Sequence, residues 1–313
     1  MLKVGLVGCG GISGAHVPGW QKLDDCELVA ICDVRPEMMD KYPGPRRYLD
    51  FDEMLEKEEL DILDICLPTY LHADFSVKAM EKGINVICEK PISLNRNDVE
   101  RVYGCAKEHG VKFMIAQVLR FWPEYEKIKE FYDNKTYGKL LSGYMKRLGN
   151  CPQWSWDNWM KDEKRSGYVP FDLHIHDLDY MVYAFGKPSN TICHRSKRDS
   201  QDYLVATYEY DGFFITAESS WYGAPHPFKS GFRFEFEEAV VVKDEQGLIV
   251  YENNGKIFNL TGNEQASDVI NLPQSDAYAN EIEYFRDCVV NNKPADKVKA
   301  DELGAVLDIL TEF

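Results

Sequence analysis

Lys3-Val4-Gly5-Leu6-Val7-Gly8-Cys9-Gly10-Gly11-Ile12-Ser13-Gly14 is a short apolar run that ends in a cluster of glycines. A segment of helical length follows, and Leu28-Val29-Ala30-Ile31-Cys32 forms a second apolar run that ends at Asp33. The pattern reads as strand, helix, strand. The loop from Gly8 to Ser13 resembles G-x-G-x-x-G, with Ser13 in the third glycine's place and Gly14 after it. Glycines here permit a tight turn and let backbone N–H groups approach a pyrophosphate, whose charge the helix N-terminus stabilises. Alone the loop is weak evidence, and an ordinary glycine turn is the bland alternative. Its context is stronger: it lies between a strand and a helix, and Asp33 stands 23 residues after Gly10 at the end of the next strand. Gly8, Gly10, Gly11 and Ile12 are therefore expected to cradle a dinucleotide, and Asp33 to accept hydrogen bonds from the adenosine ribose. That carboxylate would repel a 2′-phosphate, which favours NAD. Arg35, two residues on, keeps NADP open because it could stack on adenine or pair with a phosphate.

Outward from this unit the alternation continues. Asp61 to Leu67, Asn85 to Cys88 and Lys112 to Val118 read as strands, with Leu71 to Lys82 and Asn95 to Glu108 as the helices between them. Such alternation implies a parallel sheet covered on both faces. It stops near residues 119–125, which divides the chain into a domain over 1–120 and another over 121–313. In the second half, Trp122 to Tyr132 reads as a helix and Lys139 to Arg147 as a strand; the Trp-rich stretch Trp154 to Trp159 follows, then a helix near Asp172 to Phe185. Thr191 to Lys197, Tyr203 to Tyr210 and Phe213 to Trp221 read as strands, the last two joined by an Asp211-Gly212 hairpin turn. Further strands are expected at Arg233 to Val242 and Leu248 to Tyr251, and helices at Ala277 to Val290 and Ala300 to Thr311. The fold expected is α/β: a doubly wound parallel sheet, then an α+β domain with a large, mainly antiparallel open sheet.

Composition narrows the function classes. At 313 residues, with 44% hydrophobic and 28% charged, the chain is long enough for two cores and well charged for solubility. A formal net charge of −16 repels phosphate backbones and anionic lipid, which argues against nucleic-acid and membrane partners. Nine cysteines are scattered with no Cys-x-x-Cys pair, so reduced, mostly buried thiols are expected rather than a disulfide framework or a zinc knuckle. The apolar start is too short for a signal peptide, and a cytoplasmic location is the expectation.

Asp61-Ile62-Leu63-Asp64-Ile65-Cys66-Leu67-Pro68-Thr69, then His72, then Cys88-Glu89-Lys90-Pro91, give the chain a resemblance to the Gfo/Idh/MocA oxidoreductase family. Further marks are Arg120-Phe121 with Pro123-Glu124-Tyr125, Asp172-x-x-x-His176-x-x-Asp179, and Tyr278-x-x-Glu281. The likeness spans nearly the whole chain. It implies a Rossmann domain that binds NAD, then a substrate-binding domain whose open sheet often forms the interface of a homodimer or homotetramer. It also implies that Lys90 is the catalytic lysine and His176 the general acid/base, while Asp172 binds substrate hydroxyls or orients the site. Pro68, Thr69, His72 and Glu89 match positions near the nicotinamide end of the cofactor, and Arg120 is expected on the substrate side. Where the family has a small pair before the aspartate, this chain has Ser166-Gly167-Tyr168, so Tyr168 is expected to narrow the substrate pocket. The implied activity is hydride transfer between a carbinol of a sugar, inositol or related polyol and nicotinamide. A non-catalytic NAD-binding sensor or corepressor is the alternative.

These residue types suit that chemistry. Removing hydride from a secondary alcohol leaves a hydroxyl proton to be accepted, which suits the imidazole of His176. A nearby cation such as Lys90 stabilises the developing alkoxide. On a helix Asp172 and His176, four apart, share a face. A metal reading of Asp172, His174 and His176 requires a strand, whereas Leu178, Met181, Val182 and Phe185 recur at helical spacing, so no metal is expected. His16, His109, His194 and His226 carry no recognised motif, and Trp154, Trp156 and Trp159 are read as core rather than as stacking platforms for a sugar.

Overall fold

The computed structural model describes residues 1–199, 201–260 and 277–313. Among these, the chain forms two compact units: Met1–Val118 joined by C-terminal residues up to Leu303, and Leu119 to residue 260 joined by Gly304–Phe313. In place of a single division after residue 120, the chain returns to its first unit near the end.

The first unit runs β1 (Leu2–Val7), α1 (Ser13–Gln21), β2 (Cys26–Cys32), β3 (Arg46–Tyr48), α2 (Phe51–Lys57), β4 (Ile62–Ile65), α3 (His72–Met80), β5 (Asn85–Glu89), α4 (Asn97–His109) and β6 (Phe113–Ala116). The strands make a six-stranded parallel sheet in the order β3-β2-β1-β4-β5-β6. Every residue of β4 and β6 is buried, as strands covered on both faces require. The order reverses at β1/β4, the switch point where such sheets take a dinucleotide at the strands' C-terminal ends. Helix α8 (Ala277–Val290) rejoins this unit through Arg286, paired with Asp25 at 3.1 Å, and through Tyr278, whose ring lies 5.8 Å from that of His16. The short β3 and α2 carry too little periodicity to be foreseen.

The second unit contains α5 (Pro123–Asn134), β7 (Leu140–Asn150), α6 (Glu163–Ser166), α7 (Ile175–Phe185), β8 (Asn190–Arg198), β9 (Gln201–Tyr210), β10 (Phe213–Tyr222), β11 (Lys229–Phe236), β12 (Ala239–Asp244), β13 (Gly247–Glu252) and β14 (Ile257–Asn259). Helix α9 (Ala300–Leu310) runs from one unit into the other. The eight strands lie in the order β14-β13-β12-β11-β7-β10-β9-β8, antiparallel except for β7 and β10. Helices α5 and α7 cover one face through aromatic contacts such as Tyr125–Phe232 at 5.0 Å and Phe185–Phe234 at 5.6 Å. On the other face Ile192, Tyr203 and Phe214 stand exposed.

Two expectations are corrected here. The strand foreseen from Arg233 to Val242 is a hairpin, β11 and β12, broken at Glu237-Glu238, whose N–H groups turn to the carbonyls of Lys139 and Tyr137. Trp154 and Trp156 are exposed rather than core; only Trp159 packs on the cluster of Met160, Val169 and Trp221. Asp157 and Asn158 between them adopt left-handed backbone angles, so this stretch lacks the helical period that would turn all three rings inward. No helix among the described residues is long and apolar enough to cross a membrane, and the cysteines are free.

Candidate active site

The glycine loop leaves β1 through Gly8, whose φ of +92° and close approach to the backbone just beyond β4 both demand glycine: a Cβ there would lie 2.4 Å from the Cys66 carbonyl oxygen. Gly10 is different in kind, because a Cβ on it would meet no atom within 4 Å. It is the point of the loop that a pyrophosphate could approach. The Ser13 hydroxyl and the Lys41 ammonium both donate to the Gly10 carbonyl, at 2.7 and 2.8 Å, and so brace the loop from behind. Ile12 caps α1 with no side-chain hydrogen bond, and Gly11 accepts the Gly14 N–H.

Asp33, at the end of β2, is drawn onto this loop. Its Oδ2 accepts the Cys9 N–H at 2.8 Å, and its Oδ1 accepts the Arg35 N–H at 2.9 Å and Arg35 Nε at 3.4 Å. An open, backbone-lined loop at a helix N-terminus with a carboxylate fixed beside it fits a dinucleotide. The Cys9 thiol in the same loop is no nucleophile, since burial, then Asp33, pushes its pKa up to about 12.

Further along the sheet edge, Pro68 and Thr69 begin a short turn that leads into α3. His72 is buried there, with Nδ1 2.6 Å from the Pro91 carbonyl and Nε2 2.7 Å from the Leu67 carbonyl. Burial lowers its pKa, so the neutral ring has one N–H to donate to one of these carbonyls, and its place lies between the β4 loop and the Glu-Lys-Pro turn. Lys90 follows β5 and is half-buried, with its backbone N–H donating to Glu89 Oε2 at 3.0 Å. Glu89 Oε1 in turn lies 3.0 Å from Nε2 of His16, whose Nδ1 faces Asp64.

His16, set aside on sequence, is therefore the residue that reading missed. A signal did exist: Asp64 and Glu89 sit in strands made, apart from Asn85, of buried apolar residues, and a buried carboxylate needs a partner. His16, Asp64 and Cys66 also make up a group of metal-ligand type among the described residues. Hydrogen bonds already occupy it, with Trp20 Nε1 donating to Asp64 at 2.7 Å and Cys66 Sγ 3.6 Å from the same carboxylate.

In the second unit, a π-helical turn over Pro170–His174 leads directly into α7. Asp172 and His176 are its half-buried residues of interest, while His174 and Ile175 between them are buried. Residues four apart return to nearly the same side of such a helix. Trp221 Nε1 donates to Asp172 Oδ2 at 3.1 Å and fixes that carboxylate. His174 points into the core, between Ser219 Oγ at 2.9 Å and the Tyr208 hydroxyl at 2.6 Å. Tyr168 holds a left-handed φ of 57°. Its hydroxyl donates to the Lys161 carbonyl at 3.0 Å and its ring packs 5.7 Å from that of Trp221. Arg120, expected on the substrate side, is held by a carboxylate of its own unit. It is wholly buried and forks onto Asp179 at 2.7 and 2.8 Å, with Tyr183 against its guanidinium face. Removing such a charge from water needs a bidentate partner, and Asp179 of the same signature supplies it.

Residues 2–117 match the family described as an oxidoreductase family with an NAD-binding Rossmann fold, and residues 125–247 match the GFO/IDH/MocA C-terminal domain. D-glucoside 3-dehydrogenase of Escherichia coli is 23% identical over 90% of this chain and 88% of its own length. Myo-inositol 2-dehydrogenase of Thermotoga maritima is 30% identical over 59% of this chain and 55% of its own. Two other curated relatives are matched over only 52% and 36% of their length. A solved levoglucosan dehydrogenase, in complex with NADH and levoglucosan, superposes with a TM-score of 0.83 at 18% identity, covering 99% of this chain and 96% of that one.

Proposed function

Because this chain belongs to the GFO/IDH/MocA oxidoreductase family, we propose that it transfers hydride between a carbinol of a sugar, inositol or related polyol and the nicotinamide of NAD. The observation that carries the reading is the C-terminal edge of the first sheet, where the open Gly10 loop, Asp33 and Lys90 follow three of its strands. NAD supplies the hydride acceptor. Lys90 donates a hydrogen bond to the reacting oxygen and stabilises its negative charge as hydride leaves. His176 accepts the hydroxyl proton, and Asp172, steadied by Trp221, binds neighbouring hydroxyls. A substrate rich in hydroxyls suits a carboxylate and an imidazole better than it suits an apolar pocket. The sugar and inositol dehydrogenases among the relatives support the same substrate class.

Asp33 favours NAD over NADP, because a carboxylate anchored by Cys9 and Arg35 cannot swing away cheaply from a 2′-phosphate. A panel of sugars and polyols, incubated with NAD or NADP and followed by nicotinamide absorbance, tests the whole reading. Reduction of NAD by at least one polyol is expected, and Asp33→Ser should narrow the gap between the two cofactors. Binding of NAD with no reduction by any of the panel would instead favour a sensor.

A further inference from the structure

His16 is wholly buried in α1, and its ring lies between two carboxylates. Nδ1 is 3.0 Å from both oxygens of Asp64 on β4, and Nε2 is 3.0 Å from Glu89 Oε1 at the end of β5. A neutral imidazole carries one N–H, and an ionised carboxylate can only accept. Both contacts are satisfied together when the ring carries two protons. The other groups near it are Cys66 just beyond β4, Tyr42 after β2 and the Tyr278 ring from α8, while Trp20 on α1 donates to the same Asp64 carboxylate. Burial is the largest single influence and pulls the imidazole pKa down, but Asp64 and Cys66 together outweigh it and hold the ring well above the ordinary histidine range. Without a cation between them, Asp64 and Glu89 would place two carboxylates side by side in one buried site.

We propose that His16 is a positioning residue, an imidazolium gripped between Asp64 and Glu89 that fixes the Glu89 carboxylate and, through it, the backbone of Lys90. This rests on the role given to Lys90 above. The connection is short: the Glu89 oxygen that does not face His16 accepts the Lys90 N–H at 3.0 Å. It joins the helix that follows the glycine loop to the residue proposed to touch the reacting oxygen, so the two ends of a cofactor site are held by one charged bridge. Small displacements of a group at the reacting centre cost large factors in rate.

NMR of the intact protein labelled with 15N-histidine tests the charge directly. Both His16 ring nitrogens should stay protonated through about pH 8.5, where an unperturbed imidazole is neutral. A neutral His16 ring at pH 7 would overturn the proposal. For positioning, His16→Gln can donate to only one of the two carboxylates. It should shift the Lys90 amide resonance, lower kcat at least about tenfold and leave the Kd for NAD within about threefold. An unmoved Lys90 amide with unchanged kcat would overturn that role. Should His16→Gln fail to fold, Asp64→Asn tests the same charge: without the carboxylate that raises it most, His16 should begin to titrate below about pH 8.5, and a ring still doubly protonated would count against the bridge. Ring protonation and the Lys90 amide are read without turnover. A protein that makes no NADH yet keeps a doubly protonated His16 would therefore sink the proposed activity and not the bridge.

Discussion

His174 and His16 are both wholly buried, and their neighbours drive them in opposite directions. His174 lies between two hydroxyls, which can donate or accept and so satisfy a neutral ring. Burial, then the nearby Arg147 guanidinium, lowers its pKa to about 3. The unfolded chain binds a proton at this residue below about pH 6.5, while the folded protein refuses it until about pH 3, so stability is lost as pH falls through that window. Urea unfolding between about pH 7 and pH 5 should show this loss, and His174→Gln should make the slope shallower by up to about 1.4 kcal/mol per pH unit. An identical slope in the variant would place the acid sensitivity elsewhere. Histidines show how far single residues were legible. A spaced signature pointed to His176, whereas nothing in the sequence pointed to the two hydroxyls that hold His174. His16 was missed because its partners, Asp64 and Glu89, are distant in sequence and meet it only once the sheet is assembled. Arg120 marks the limit, because a signature arginine looks the same on sequence whether it binds a ligand or a buried aspartate such as Asp179.

Strand–glycine loop–helix was the most legible element, because apolar runs, glycines and Asp33 constrain one another across thirty residues. Its glycines nonetheless do separate jobs that sequence spacing cannot separate. Gly8→Ala would combine a positive φ with a Cβ 2.4 Å from a backbone oxygen, and should destabilise the fold by more than about 1 kcal/mol. Gly10→Ala meets no protein atom within 4 Å, so its melting temperature should stay near that of the unmodified protein while NAD affinity falls about tenfold or more. Calorimetry on both variants checks the pair. Equal NAD affinity in Gly10→Ala and the unmodified protein would remove the pyrophosphate from that loop. The hairpin at Glu237-Glu238 was illegible for a different reason. Arg233 to Val242 is strand-like on both sides of Glu237-Glu238, and that single charged pair, where the alternation of Phe234, Glu235 and Phe236 lapses, is too short a signal to separate a turn from a continuing strand.

Both sheets of the molecule follow from patterns spread over many residues, and that redundancy is why the fold class was readable where single roles were not. The second sheet has one face covered by α5 and α7 and another on which Ile192, Tyr203 and Phe214 stand exposed at 47%, 38% and 49%. Association would bury such a face, and a homodimer or homotetramer is the expected state. Light scattering should return a multiple of 36.1 kDa at micromolar concentration, and Phe214→Glu should shift the population toward monomer. A monomer at all concentrations would leave that face without a role in assembly. The proposed chemistry is tested most directly by NADH formation on the best polyol of the panel, with unmodified protein and Lys90→Met compared at saturating NAD after both are shown to bind it. The expected result is NADH from the unmodified protein and a kcat lower by about a hundredfold or more in the variant, with NAD affinity little changed. Equal rates from the two proteins would contradict the role of Lys90 and, with it, the proposed mechanism.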